Sequence, residues 1–212
     1  IISAMREISR KNIKSLAEDM EKETGLGRAE DKIVKLRLAI DKTPGTEDIK
    51  PVVFSGDDGL TLVERAPFGV VASITPVTNP VETIINNGIG FVAAGNSAVF
   101  NPHPGSKNVC AKIIKLLNEA IVSAGGPANL LCTVVEPTIE SAKELMNHSS
   151  IKLVVVTGGA GVVKEAMKSG KKVIAAGPGN PPVVVDETAD IPKSARFIVE
   201  GASTDNNIIC VE

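Results

Sequence analysis

The sequence has almost no aromatic residues: five Phe, no Trp and no Tyr among 212 residues. Proteins that hold single-stranded nucleic acid stack its bases on aromatic rings, so that class is disfavoured. Nor is there an excess of positive charge. The 23 Lys and Arg face 25 Asp and Glu, for a formal net charge of −2, which leaves no whole-chain electrostatic footprint for DNA or RNA. Cysteine is scarce and odd in number: Cys110, Cys132 and Cys210 lie far apart, and no Cys-x-x-Cys occurs. This argues against a disulfide framework and a structural zinc site, and for a reducing compartment. With two His in the chain, a His-based catalytic metal site is not expected. No apolar run approaches the roughly 18 residues that span a bilayer, and no signal-peptide pattern is present. The chain opens at Ile1, inside a helical pattern and without Met, so the true start is expected to lie upstream.

What is present is aliphatic. Hydrophobic residues make up 43% and charged residues 23%, a globular composition, and the length suits one large α/β domain or one domain with flanking pieces. With few rings, the core must be built from Val, Ile, Leu and Ala.

Two regions differ in pattern. Over residues 1–65, a charged helix is expected over 1–23, with Met5, Ile13, Leu16 and Met20 along one face. Gly25 and Gly27 break it, and a second helix over 31–40 is stopped by Thr43-Pro44-Gly45. A turn over 55–59 leads into a short strand over 60–65. This region reads as an appendage, not a self-sufficient core. From Gly69, β-branched runs at 70–75, 98–100, 131–135, 152–157, 173–176 and 183–186 alternate with helical stretches near 80–94, 105–124, 138–147, 160–169 and 188–200. Continuous apolar strands between amphipathic helices predict an α/β fold: a Rossmann-like parallel sheet with helices on both faces, preceded by the N-terminal helical segment. Ligands of such sheets sit beyond the carboxyl ends of the strands.

The strand exits therefore matter most. Lys152 to Gly161 is a strand running into Thr157-Gly158-Gly159 and a helix. Glycines there let backbone N–H groups approach a phosphate, but Lys164 stands where the dinucleotide fingerprint needs its third Gly. Alone, the motif is equally well a tight turn with no ligand. Asn101-Pro102-His103-Pro104 is a proline-stiffened loop suited to a rigid wall; His103 alone reads as solvated, and His148 as structural. Gly177-Pro178-Gly179-Asn180 carries no acid or base. An isolated thiol such as Cys210, behind two isoleucines, is more often buried and inert than reactive. Cys110 and Cys132 read as core residues, the second in a strand expected to be buried on both faces.

Together these exits resemble the aldehyde dehydrogenase superfamily, in its CoA-acylating branch, whose members act on propionaldehyde, acetaldehyde or butyraldehyde. The residues that carry the resemblance are Glu23-Thr24-Gly25-Leu26-Gly27, Glu30-Asp31-Lys32, Thr43-Pro44-Gly45, residues 67–80, Ala94-Gly95-Asn96, Asn101-Pro102-His103-Pro104, Thr157-Gly158-Gly159, residues 177–182 and Asp205-Asn206-Asn207. They run in order along essentially the whole chain, and the series, not any one motif, is specific.

The resemblance implies that Cys210 is the nucleophile. It implies that Thr78, where hydrolytic members have the oxyanion Asn, or its neighbour Asn79, serves the oxyanion. It implies a cofactor site made of Ile74, Thr75, Pro76, Asn101, Pro102, His103, Thr157, Gly158, Gly159 and Gly177. Hydrolytic members carry Lys at Asn101 and Glu at Pro104 to hold the ribose, so NAD is implied with NADP left open, and CoA as co-substrate. They also carry a glutamate base at Ala176. Water needs such a base and a thiol does not, so Ala176 fits acyl transfer to CoA.

A cytoplasmic homodimer or homotetramer acting on a small aldehyde is implied, with association with a bacterial microcompartment shell in part of the branch. Residues 1–65 would form helices and a linking strand, and 66–212 a dinucleotide-binding domain ending at the nucleophile. The C-terminal catalytic and oligomerisation domain of the relatives would be absent. A γ-glutamyl phosphate reductase-like enzyme and a non-catalytic nucleotide-binding or assembly module are the alternatives.

Overall fold

Short aliphatic segments form the centre of the molecule. The computed structural model describes residues 1–208. Three helices come first, α1 Ile2–Lys11, α2 Ile13–Thr24 and α3 Ala29–Lys42, followed by a hairpin of β1 Val52–Gly56 and β2 Gly59–Val63. The alternating part runs β3 Val70–Thr75, α4 Pro80–Ala93, β4 Ser97–Pro102, α5 Lys107–Ser123, β5 Leu131–Thr133, α6 Ile139–Asn147, β6 Ile151–Thr157, α7 Ala160–Lys168, β7 Lys172–Ala176 and α8 Ile191–Ser203. Strands β3 to β7 form one parallel sheet in the order β5-β4-β3-β6-β7. The chain moves outward from β3 through β4 to β5, then returns to the other side of β3 with β6. The order therefore reverses between β3 and β6, and a crevice opens at their carboxyl ends.

Side chains alternate across the sheet as the strand period requires. Val71, Ala98, Phe100 and Leu153 face one side, where α4, α5 and the N-terminal helices cover them with Met5, Leu16, Met20, Leu36 and Ile40. Ala72, Ile74, Val154 and Val156 face the other, under α6 and α7. Helices α1 to α3 thus have no core of their own.

Four local expectations change. The helix over 1–23 is two helices, because Asn12 leaves helical geometry (φ −105°, ψ 5°) and its side-chain amide donates to the Ile8 carbonyl at 2.8 Å, an alternative such residues offer the backbone. Residues 52–56, not anticipated as a strand, pair with β2 across the turn. Residues 183–186 form no strand: Pro181 and Pro182 lack N–H groups, no described strand pairs with them, and Val184 is 89% exposed. Cys132 is only partly buried because β5 is an edge strand. Among the described residues, no helix is long and apolar enough to cross a membrane.

Candidate active site

Each wall of the crevice is a strand exit. After β3, Pro76 ends the ladder and the chain turns into α4 at Asn79, with Pro80 in the first helical position, where its missing N–H costs nothing. After β4, the His103 N–H donates to the Thr75 carbonyl at 3.1 Å, tying the two exits together. The His103 Nδ1 accepts the Gly105 N–H at 3.1 Å, which fixes the imidazole against its own loop. Asn101, buried beside Ile74, accepts a hydrogen bond from Ser141 Oγ at 2.6 Å. Ser141 belongs to a capping box with Thr138 that starts α6.

After β6, Gly158 donates its N–H to the Ala176 carbonyl, joining the exits of β6 and β7. A Cβ on Gly158 would lie 2.8 Å from Val162 Cγ1, whereas one on Gly159 would meet nothing. Among the described residues no side chain at the N-cap position of helix α7 bonds its first N–H groups, and such groups suit an anion.

These exits border one cleft of about 930 Å³. It brings together Ile74, Thr75, Pro76, Thr78, Asn79, Asn101, Pro102, His103, Thr157, Gly158, Gly159 and Gly177. Cys210, the expected nucleophile, lies outside the described residues. The apolar floor was missed from sequence: Ile139, Ala142 and Met146 of α6 and Val162 of α7 also face the cleft. Their helical spacing was readable, but it signals burial and not what is buried. At the base, Thr75 Oγ1 is buried with no hydrogen-bond partner among the described residues, an orphan that a ligand can satisfy. An uncapped helix start, a turn without side chains and an apolar floor suit a phosphate-bearing ligand with a flat aromatic part.

Behind the cleft lies a charged cluster that sequence reasoning also missed. Asp205 is fully buried. Its Oδ1 accepts the Arg28 N–H at 2.8 Å, and its Oδ2 meets Lys32 Nζ at 3.2 Å and Lys35 Nζ at 2.6 Å. Burial alone would raise its pKa, but the hydrogen bond from Lys35, the Arg28 N–H and the two ammonium charges outweigh it, and the carboxyl is held below its usual range. Lys35 Nζ also donates to Asn79 Oδ1 at 2.6 Å and stands 3.4 Å from Glu82 Oε1. Neither Glu82 oxygen has a hydrogen bond among the described residues. Burial therefore dominates at Glu82 and raises its pKa despite Lys35.

A match to the aldehyde dehydrogenase family extends over residues 1–212. The chain is 56% identical over 212 residues to the acetaldehyde dehydrogenase (acetylating) EutE of Salmonella typhimurium, covering 100% of this chain and 45% of that protein. It superposes with a TM-score of 0.95 and 52% identity on a propionaldehyde dehydrogenase from the Clostridium phytofermentans fucose utilisation bacterial microcompartment, covering 99% of this chain and 48% of that one. A Rhodopseudomonas palustris propionaldehyde dehydrogenase with bound CoA and an acylated cysteine gives a TM-score of 0.94 at 48% identity, over 98% and 48% of the two chains. The chain spans about half the length of these relatives.

Proposed function

The chain belongs to the aldehyde dehydrogenase family, and from that premise we propose that it forms the cofactor-binding part of a CoA-acylating aldehyde dehydrogenase. The whole protein converts a short-chain aldehyde and CoA to acyl-CoA, reversibly, with reduction of NAD or NADP, through a thioester on Cys210. The carrying observation is what stands at the end of β7. Ala176 offers only a backbone carbonyl there, and Gly177 borders the cleft. Glu165, the one carboxylate bordering the cleft among the described residues, is held below its usual range by a hydrogen bond and charge from Lys168, which makes it a weak base. Water attacks a thioester poorly without a base, whereas a thiol ionises readily and attacks unaided.

In the proposed cycle the Cys210 thiolate adds to the aldehyde carbonyl. Backbone N–H groups, with Thr78 or Asn79, stabilise the oxyanion. A nicotinamide, when bound, would supply the acceptor for the hydride that leaves the same carbon; the carbonyl then reforms as the Cys210 thioester. The CoA thiolate takes the acyl group and returns Cys210 as thiolate. The Gly158-Gly159 turn and the start of α7 would hold the pyrophosphate. The apolar floor of α6, with Asn101, Pro102 and His103, would hold the adenosine.

The likeness to a microcompartment enzyme supports a cytoplasmic location with microcompartment association. The β1–β2 hairpin, exposed along both strands, supports a homodimer or homotetramer. The test is NADH formation from propionaldehyde by the whole protein with and without CoA. Steady turnover is expected only with CoA. Sustained carboxylate production at comparable rate without it overturns the reading.

A further inference from the structure

The strands end in loops, yet two of the loops that matter meet at one side chain on a helix far from both in sequence. We propose that Lys35 is a positioning residue that ties the turn leading to Cys210 to the amide of Asn79, so that nucleophile and oxyanion donor are set by one buried cation. This rests on the acylating reading above.

Lys35 Nζ meets Asp205 Oδ2 at 2.6 Å and Asn79 Oδ1 at 2.6 Å, and Glu82 Oε1 stands 3.4 Å away as an ion pair without a hydrogen bond. An ammonium has three N–H donors and no acceptor. The amide atom that faces it must therefore be the oxygen of Asn79, which leaves Nδ2 as the donor of that side chain, and Asn79 borders the cleft. At the other end, Asp205, Asn206 and Asn207 are three consecutive left-handed residues, with φ of 51°, 56° and 57°. Such a run is disfavoured for L-residues and persists only where its surroundings impose it.

The surroundings here do so. The Asp205 carboxylate is gripped by Arg28, Lys32 and Lys35, and its N–H donates to Asp31 Oδ2 at 2.9 Å. Gly27, at φ +72°, packs so closely that a Cβ would come within 2.0 Å of Asp205 Oδ1. An exposed ion pair would carry little weight. Lys32 and Asp205 are at 1% and 0% exposure and Lys35 at 13%, so removing one partner leaves a buried charge uncompensated. Asp205 precedes Cys210 by five positions in the sequence, and Ile208, the last described residue, borders the cleft.

A purely structural role would move stability and not the chemical step. The whole protein carrying Lys35→Met with Glu82→Gln loses the Lys35 ammonium together with the buried carboxyl that it partly offsets, so Lys32 still pairs with Asp205 while the link to Asn79 is gone. The expected result is an unchanged Tm to within a few degrees, a KM for NAD within about twofold of the parent, and a kcat about a hundredfold lower, the scale of one lost oxyanion donor. Lys35→Arg keeps the charge but not the compact three-way contact, and is expected to stay folded with kcat about tenfold lower. Adding Asn79→Ala to the paired variant is expected to cost less than about threefold more, since both changes remove one function. A folded paired variant, or a folded Lys35→Arg, with parent kcat overturns the proposal. So does a full multiplicative loss with Asn79→Ala. If the paired variant does not fold, Lys35→Arg alone decides. Failure of the acylating reading shows separately, in the parent protein, as sustained carboxylate production at comparable rate without CoA.

Discussion

The two faces of the parallel sheet are packed to different depths. One is covered by α4 and α5 and then by the N-terminal helices, with a continuous apolar core from Met5 through Phe100 to Leu153. Among the described residues, the other is covered by α6 and α7 alone, over the small cluster of Ala72, Ile74, Met146 and Val156. The cleft lies on the thin side, where Ile74, Ala142 and Met146 belong to that core and to the cleft floor at once. The deep face buries the larger core, and the thin face leaves part of its apolar surface open at the cleft. The hairpin, exposed on every residue, contributes to neither.

The largest effect expected of this division is on the deep face. Phe100→Ala removes a fully buried ring and is expected to cost about 3–5 kcal/mol by denaturant unfolding, while cofactor affinity of the folded fraction stays within about threefold. A hundredfold loss of affinity at intact stability would show that the faces are not separable. Thiol reactivity sharpens the same contrast. Burial on that face pushes the Cys110 thiol up to about 12. Near neutral pH its thiolate fraction is then about a thousandfold below that of an ordinary thiol. In the whole protein, iodoacetamide is expected to modify Cys210 and stop turnover while Cys110 stays unlabelled, as read by peptide mapping. Modification of Cys110 first, with activity lost in step, would remove Cys210 as the nucleophile.

On the thin side, a side chain at Gly158 must push against Val162, because the Cβ alone approaches its Cγ1 to 2.8 Å. Gly158→Leu is expected to weaken NAD(H) binding at least a hundredfold by calorimetric titration. The fold should persist, at a cost no larger than the about 1–3 kcal/mol of ordinary overpacking. Undiminished affinity would take the turn out of the site.

How much of this was legible in the sequence follows from the range of the forces involved. Strand β3 is predicted over its full span because six residues of apolar or small character end at Pro76, and both signals are local. The strand exits, and hence the cleft walls, follow from the alternation. The break at Asn12 was not legible, since it depends on a side-chain amide outcompeting the helix. The valines at 183–185 have strand propensity, but propensity does not supply a partner strand. The charged cluster was out of reach for a different reason. Lys32 and Asp205 are 173 residues apart, and a lysine in a charged helix reads as solvated until the fold buries it.

The smallest expected effect tests whether the cluster between the two faces stands under electrostatic tension. Glu82 is buried, its pKa is raised above the usual 4.5 by burial, and the charge of Lys35 only partly offsets this. A carboxyl whose folded pKa is raised is at no disadvantage below its unfolded pKa, where it is neutral in both states. It destabilises progressively as pH rises from there through the folded value, and by a constant amount above that. Gln has the same shape and no charge to bury. Glu82→Gln is therefore expected to be more stable than the parent at pH 8, by about 1 kcal/mol. The advantage should shrink on acidification and vanish below pH 4.5. Asp205 behaves in the opposite sense, since its pKa is depressed: its contribution holds at neutral pH and is lost only as pH falls below the usual carboxylate range. Unfolding of the two proteins measured side by side across this range separates the groups. A variant less stable than the parent at pH 8 would mean that Lys35 compensates Glu82 fully, and that the cluster is a balanced ion network instead of one carrying a surplus buried carboxylate.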